Sequence, residues 1–452
     1  MGIHPRQTLF DFGPNGGVNG GAFRDPAFID NKTLPIHRWV PWIAGFSAGF
    51  VDGVIETFVG NRHSAPTALI LDPFAGVGTT LVQAVLSGHE AIGFEINPYG
   101  ALAARTKLRA ATVDLGQFDL ALAELRDAAA SWQATLPPAT IAAPPLRTRI
   151  PFFSPSVERQ VLHALAFIRG LRDPDIADLF RIAFGAVIVS VSNYTYEPSL
   201  GSRPAAGKPL ITAADVAEVL THKLRQMRAD IAWLQQERDS RRPFGTGSVI
   251  VGDFFSGADS IETGSVNLML TSPPYLNNYH YVRNTRPQLY WLDFISSPQQ
   301  QKSLETRNFG KYWQTVRDAS PIHLHFEHRA LEQTIEKLRA TRADKGPYGG
   351  PGWANYVASY FNDCHCFLNV LRRVLRRRGV GVVVIGNSII QGFEIKTETV
   401  LGEMATEAGL ELEGVHLLRD KRVGASITTS SVRRGETSQA NLYESAVIVR
   451  KR

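Results

Sequence analysis

One stretch limits the fold of this chain more than any other. Residues 65–108, APTALILDPFAGVGTTLVQAVLSGHEAIGFEINPYGALAARTKL, read as strand, glycine turn, helix, strand, helix. The apolar ALIL ends at Asp72, Gly76-Val77-Gly78 makes the turn, and TTLVQAVLS runs helically to a stop at Gly88. The strand EAIGFE then ends at Glu95. This alternation opens an α/β fold with a doubly wound, Rossmann-like sheet.

A glycine turn between strand and helix brings a ligand close to backbone, and a helix N-terminus favours anionic groups. Glu95 lies 19 residues beyond Gly76 (95 − 76), near the spacing at which an acid binds ribose hydroxyls in dinucleotide folds. Leu81, however, stands where the third glycine of G-x-G-x-x-G belongs. A nucleoside ligand without a pyrophosphate fits that departure, and a purely structural turn is the alternative.

Strand–helix alternation then lapses. Residues 113–245 read as a helical insertion, with the proline-rich LPPATIAAPPLRTRIP (136–151) as a semi-rigid connector. Strands resume at SVIVGD (248–253) and VNLMLT (266–271). A long loop with little regular pattern follows from 276 to 350, then a helix, the strand GVGVVVIG (379–386), another helix and final strands. The expected organisation is therefore one sheet domain in two halves, 1–112 and 246–452, interrupted by the insertion at 113–245.

The 452 residues are 44% hydrophobic and 20% charged, which is ordinary for a globular protein with a substantial core. No uncharged apolar run approaches the roughly 18 residues needed to span a membrane. The start, MGIHPRQTLFDFGPNGG, lacks the apolar segment of a signal peptide, so a cytoplasmic location without a membrane partner is expected. The two cysteines, Cys364 and Cys366, are too few for a closed zinc site, and no metal is expected. A net charge of +6 favours a polyanionic partner.

The strand VNLMLT runs into Ser272-Pro273-Pro274-Tyr275. Two prolines remove two backbone donors and hold the chain extended, so neither a helix nor a paired strand continues there. Taken alone, the tetrapeptide reads equally as a surface turn or as a site.

DPFAGVGTT, IGFEINP, VGD and TSPPY, in that order, resemble the S-adenosylmethionine-dependent methyltransferases that act on exocyclic amino groups of DNA bases, the cytosine-N4 and adenine-N6 enzymes. HRWVPWIAGFSAGF (37–50) resembles the aromatic segment that precedes the glycine loop in that family. The resemblance covers roughly 37–112 and 246–452. It implies a class I methyltransferase sheet and S-adenosyl-L-methionine as cofactor. It places Asp72, Pro73, Phe74, Gly76, Gly78 and Thr79 around the cofactor's methionine part, Glu95 on the ribose with Asn97 beside it, and Asp253 on the adenine amino group. The helical insertion and the long loop match no recognition domain of the family.

An exocyclic amino nitrogen is a poor nucleophile because its lone pair is delocalised into the ring. The Ser272 hydroxyl and the Pro273 carbonyl are expected to accept its two hydrogens and free the lone pair, with Pro274 keeping that carbonyl out of a ladder. Tyr275 is expected to stack on a base flipped out of the duplex. Serine before Pro-Pro-Tyr leans toward cytosine N4, because the family's adenine enzymes more often carry an acid there. A cytosine-C5 enzyme is excluded, since neither cysteine adjoins a proline.

The implied partner is double-stranded DNA, with a cognate restriction endonuclease in a restriction-modification setting. Tyr279, Tyr281, Arg283, Arg286, Tyr290, Trp291, Lys311, Tyr312, Trp313 and Arg317 make 276–350 the expected DNA-facing loop. Arg372, Arg373 and Arg376 to Arg378 read instead as a solvated helix end, and the insertion is a candidate for target recognition. Two rival functions remain. One is an RNA base amino-methyltransferase; the other is a non-catalytic nucleic-acid-binding subunit, against which the full set of acids and the intact proline pair argue.

Overall fold

The computed structural model describes residues 28–42, 45–60, 66–196, 200–240, 244–276, 281–421 and 442–452. The first 27 residues, two positions of the aromatic segment (43 and 44) and Tyr279 lie outside the described residues.

Among these, seven strands pair into one sheet: β1 (Leu69–Asp72), β2 (Glu90–Glu95), β3 (Gly247–Val251), β4 (Val266–Thr271), β5 (Leu375–Gly386), β6 (Leu410–Lys421) and β7 (Leu442–Lys451). Their order is β6-β7-β5-β4-β1-β2-β3. The five strands from β3 to β5 run parallel, and β7 lies antiparallel to both β5 and β6. The strand order reverses between β1 and β4, which opens a crevice at their carboxyl ends, the usual ligand site of such sheets.

Both faces of the sheet's centre are covered, so β1, β4 and the second half of β5 are largely apolar and buried. Ile70, Leu268, Leu270, Val382 and Val384 pack toward α1 (Ala48–Phe58) and α2 (Thr79–Leu86). The alternate residues Leu71, Met269, Val383 and Ile385 pack on the opposite side with a long helix at 350–374. This is the doubly wound, Rossmann-like α/β architecture expected from the glycine turn.

After α3 (Pro98–Arg109) come the insertion helices α4 (Leu115–Ala129), α5 (Pro155–Gly170), α6 (Pro174–Val187) and α7 (Val216–Ser240). Their core is continuous with that of the sheet's helices. Phe118, Phe153, Phe180, Phe184, Leu224 and Met227 cluster with Trp39, Tyr99 and Leu102.

The segment 276–350 is more regular than its sequence indicates. It holds helices at Arg286–Trp291 and Pro298–Arg307, and α8 at Arg329–Ala340. The first two are entered through a proline in their first turn, and six and ten residues show too few turns for an apolar period to register. The following helix, α9 (Gly350–Val374), stops before the arginine run ends. Arg376, Arg377 and Arg378 are therefore exposed residues at the start of β5, and only Arg372 and Arg373 occupy a helix end. A last helix, α10 (Thr397–Glu407), leads to β6. No helix among the described residues is long and apolar enough to cross a membrane.

Candidate active site

The carboxyl ends of β1, β2 and β4, with the loop after β3, meet in one cavity. Its walls include Asp72, Pro73, Phe74, Gly76, Thr79, Glu95, Asn97, Asp253, Ser272 and Pro274. Residues from four separate strand ends thus converge as the motif order anticipates.

Asp72 ends β1 and is buried, accepting bonds from the Thr271 hydroxyl at 2.7 Å and the Phe74 amide at 3.1 Å. Burial pushes its carboxyl up to about 6, although both bonds favour the ionised form. Glu95 ends β2 and bridges two backbones. Its carboxylate accepts the amide N–H of Gly76 and that of Asn97, each at 2.7 Å. Burial drives it higher, to about 7, against the pull of those two amides.

Gly76 and Gly78 both have positive φ, 53° and 82°. A Cβ on Gly76 would come within 3.0 Å of the Trp42 indole nitrogen, so glycine lets that ring lie against the turn. Gly78 has a different task. A Cβ there would meet the Ala104 Cβ at 2.8 Å, so Gly78 lets α2 approach α3 and does not line the cavity. Asn97 caps α3, accepting from the amides of Tyr99 and Gly100 and donating to the Thr285 hydroxyl at 2.7 Å. Asp253 caps a short turn, accepting from both the amide and the hydroxyl of Ser256.

The tetrapeptide divides between cavity and scaffold. Ser272 and Pro274 line the cavity, Pro273 is buried, and the Tyr275 ring lies against Gly386 at the end of β5. A Cβ on Gly386 would stand 3.1 Å from Tyr275 Cδ2. The Ser272 hydroxyl is 3.5 Å from the Tyr275 hydroxyl, at the limit of a hydrogen bond. No donor among the described residues reaches the Pro273 carbonyl.

Further wall residues come from outside the glycine-loop and proline motifs. Trp42 and Tyr281 stack, with centroids 6.4 Å apart. Phe309 lies edge-on to Phe74 at 5.1 Å and stacks with Phe255 at 6.0 Å. Phe309 comes from the long loop, and only its apolar character beside a glycine hints at it.

Several aromatic residues of the expected DNA-facing loop are internal, while much of 314–348 is exposed. Tyr290 and Trp291, on the helix at Arg286–Trp291, are buried in the core shared with the insertion, and Tyr312 is buried as well. Trp313 stacks on Trp353 at 5.0 Å, and the Arg317 guanidinium sits over both Trp313 and Tyr348. Arg283 pairs with Glu305 and Lys311 with Asp363. Among the described residues, no cluster of His, Cys, Asp or Glu is arranged to hold a metal ion.

Three carboxylates at or just beyond strand ends, around an aromatic-walled cleft, suit a positively charged nucleoside. Hydroxyl and amino groups need acceptors, which these acids supply, and an adenine ring needs flat apolar walls. S-adenosylmethionine fits that donor and acceptor set.

The fold and cleft define a Rossmann-like protein with a cleft suited to a nucleoside. A family model described as DNA methylase, covering N6 and N4 enzymes, matches residues 50–105. The chain is 23% identical over 441 residues to the type II methyltransferase M.BsoBI of Geobacillus stearothermophilus, spanning 88% of this chain and 82% of that protein. It is likewise 23% identical to the type II methyltransferase M.AvaI of a Nostoc species, over 87% of this chain and 82% of the relative. A shorter match, 39% over 78 residues, joins it to the type II methyltransferase M.MjaII of Methanocaldococcus jannaschii, covering 17% of this chain and 14% of the other. These matches support the DNA amino-methyltransferase family for this chain, and that similarity implies S-adenosylmethionine as the methyl donor.

Proposed function

We propose that this enzyme methylates the exocyclic amino group of a flipped base at a specific site in double-stranded DNA, and that the base is cytosine, modified at N4. The observation that carries the proposal is the placement of Ser272 and Pro274 in the wall of the acid-lined cleft, with no donor to the intervening Pro273 carbonyl among the described residues. Glu95 accepts the ribose hydroxyls, Asp253 the adenine amino group, and Asp72 lies by the methionine part with Phe74, Gly76 and Thr79. Gly78 and Asn97 act indirectly, by shaping the turn and capping α3.

S-adenosylmethionine supplies an electrophilic methyl group on sulfonium. The protein's own work is positional. The Ser272 hydroxyl and the Pro273 carbonyl accept the two amino hydrogens, so the nitrogen turns tetrahedral and its lone pair becomes available. Tyr275 supports the base, and its placement against Gly386 fixes where the ring lies. No covalent nucleophile is required, and positioning accounts for the catalysis. The nitrogen sheds one proton once the methyl has arrived.

A restriction-modification setting with a cognate endonuclease goes with the type II naming of the relatives. Expressing the chain in a methylation-deficient host and identifying modified nucleosides by mass spectrometry tests the whole reading. N4-methylcytosine supports it, N6-methyladenine replaces the base assignment, and methylation confined to RNA overturns it.

A further inference from the structure

The tetrapeptide is gripped from outside the cofactor half of the site. Helix α9 sends two tyrosines, one turn apart, to the main chain on either side of Tyr275. The Tyr360 hydroxyl donates to the Pro274 carbonyl at 3.1 Å, and the Tyr356 hydroxyl donates to the Leu276 carbonyl. Both phenols are buried, Tyr360 at 0% exposure and Tyr356 at 6%. A proline pair cannot be held by donating its own amides, so acceptor-side anchors are the remaining way to fix its direction.

Tyr360 also touches the wall of the cofactor cleft. Its ring meets Phe309 edge-on, centroids 5.6 Å apart, and Gly310 has positive φ in a place where a Cβ would be 2.9 Å from the Tyr360 ring. Asp363, less than a turn further along α9, accepts the Gly310 amide at 3.0 Å. One helix therefore holds both the Phe309–Gly310 wall and the tetrapeptide.

We propose that Tyr360, seconded by Tyr356, is a positioning residue for methyl transfer: its hydroxyl fixes the Pro274 carbonyl, and so sets the aim of the Ser272 hydroxyl and Pro273 carbonyl relative to the methyl donor. This rests on the proposed role of the tetrapeptide. The hydroxyl and the ring of Tyr360 do separate things. Removing only the hydroxyl frees the proline pair while leaving Phe309 supported, so catalysis changes and cofactor binding does not.

The test is single-turnover methylation of DNA by wild type, Y360F and Y356F, with rates expressed per S-adenosylmethionine-binding site measured by calorimetry. Misaiming of reacting groups costs up to about 100-fold. Y360F should slow transfer by about 10- to 100-fold, with the S-adenosylmethionine Kd and the KM for DNA within about twofold of wild type. Y356F should show a smaller effect of the same kind, and it carries the test if Y360F does not fold. Wild-type rates per binding site in both variants would overturn the inference while leaving the proposed function standing. So would a rate that falls only in step with the number of binding sites, because the hydroxyls then serve folding alone. A wild-type protein that binds S-adenosylmethionine but transfers no methyl to DNA would overturn the proposed function, and this inference with it.

Discussion

Glu95 reaches across from the end of β2 to accept the backbone N–H of Gly76, at 2.7 Å, and thereby ties the second strand to the glycine turn. The same carboxylate accepts from Asn97. Further acceptance from ribose hydroxyls requires the ionised form, whereas burial holds this carboxyl near 7.

Cofactor affinity should therefore follow Glu95. Glu95→Ala is expected to weaken S-adenosylmethionine binding by about 1–3 kcal/mol, the worth of hydrogen bonds to a charged acceptor. In wild type the ionised form prevails above pH 7 and is lost below it, so affinity should decline as pH falls through about 7. Glu95→Gln should bind weakly with this component of the pH dependence removed. Calorimetry from pH 6 to 8.5 checks both, and unchanged wild-type affinity in a folded Glu95→Ala protein would remove Glu95 from the cofactor site.

Tyr275→Ala should leave cofactor binding nearly intact and lower methyl transfer steeply, since base stacking is worth roughly 1–3 kcal/mol. Tyr275→Phe should keep much more activity. Gly386→Ala is a more local probe, because its Cβ would press on the Tyr275 ring at 3.1 Å and on the Tyr443 carbonyl at 3.0 Å. It should reduce transfer in the same direction as Tyr275→Ala, with the S-adenosylmethionine Kd unchanged. Normal turnover in both Tyr275→Ala and Gly386→Ala would reduce the tetrapeptide to a turn.

Lys107 is buried on α3 with no hydrogen-bond partner for its ammonium nitrogen among the described residues. Burial, with Lys223 nearby, brings its pKa down from 10.5 to about 7. Between those values the unfolded chain holds a proton that the folded chain lacks, so stability should rise with pH across that window. Lys107→Met keeps the volume and removes the penalty. It should stabilise the fold by on the order of a few kcal/mol at pH 7 and flatten the rise toward pH 10. Urea denaturation at pH 7, 8.5 and 10 measures this; a destabilised Met variant would show that the amine has a use.

The sheet and the cleft were legible because their signals are local. Strand, glycine turn and terminal acid lie within 65–108, and the proline pair marks its own elbow. What escaped was set by contacts distant in sequence. Gly386 is one residue in an apolar strand until Tyr275 is seen against it, and Tyr356 and Tyr360 are ordinary helix residues until the carbonyls they meet are known. Tyr290, Trp291 and Tyr312 misled for the opposite reason: an aromatic beside an arginine reads as a nucleic-acid contact, but burial depends on which helix covers it. Gly78 has the sequence signature of a cofactor contact and instead spaces α2 from α3.

One carboxylate of the insertion gathers donors from three residues of the cofactor half. Asp230, on α7 and 2% exposed, accepts the Ile36 amide, the Arg38 side chain and the Trp39 indole, the amide and indole each at 3.0 Å. Ile36 is held there at φ 65°, a strained conformation for a β-branched residue, which this hydrogen bond compensates. Asp230→Ala leaves the buried Ile36 amide and Trp39 indole without their acceptor, at a cost of about 1–3 kcal/mol for each unsatisfied group, while the partly exposed Arg38 can turn to water. Asp230→Asn, which keeps an acceptor, should cost less. If the insertion reads the target, replacing its exposed surface while leaving Asp230 and its donors in place should change which sites are methylated more than the rate of transfer. Sequencing the methylated positions decides this, and an unaltered target after that replacement would assign recognition to another part of the chain.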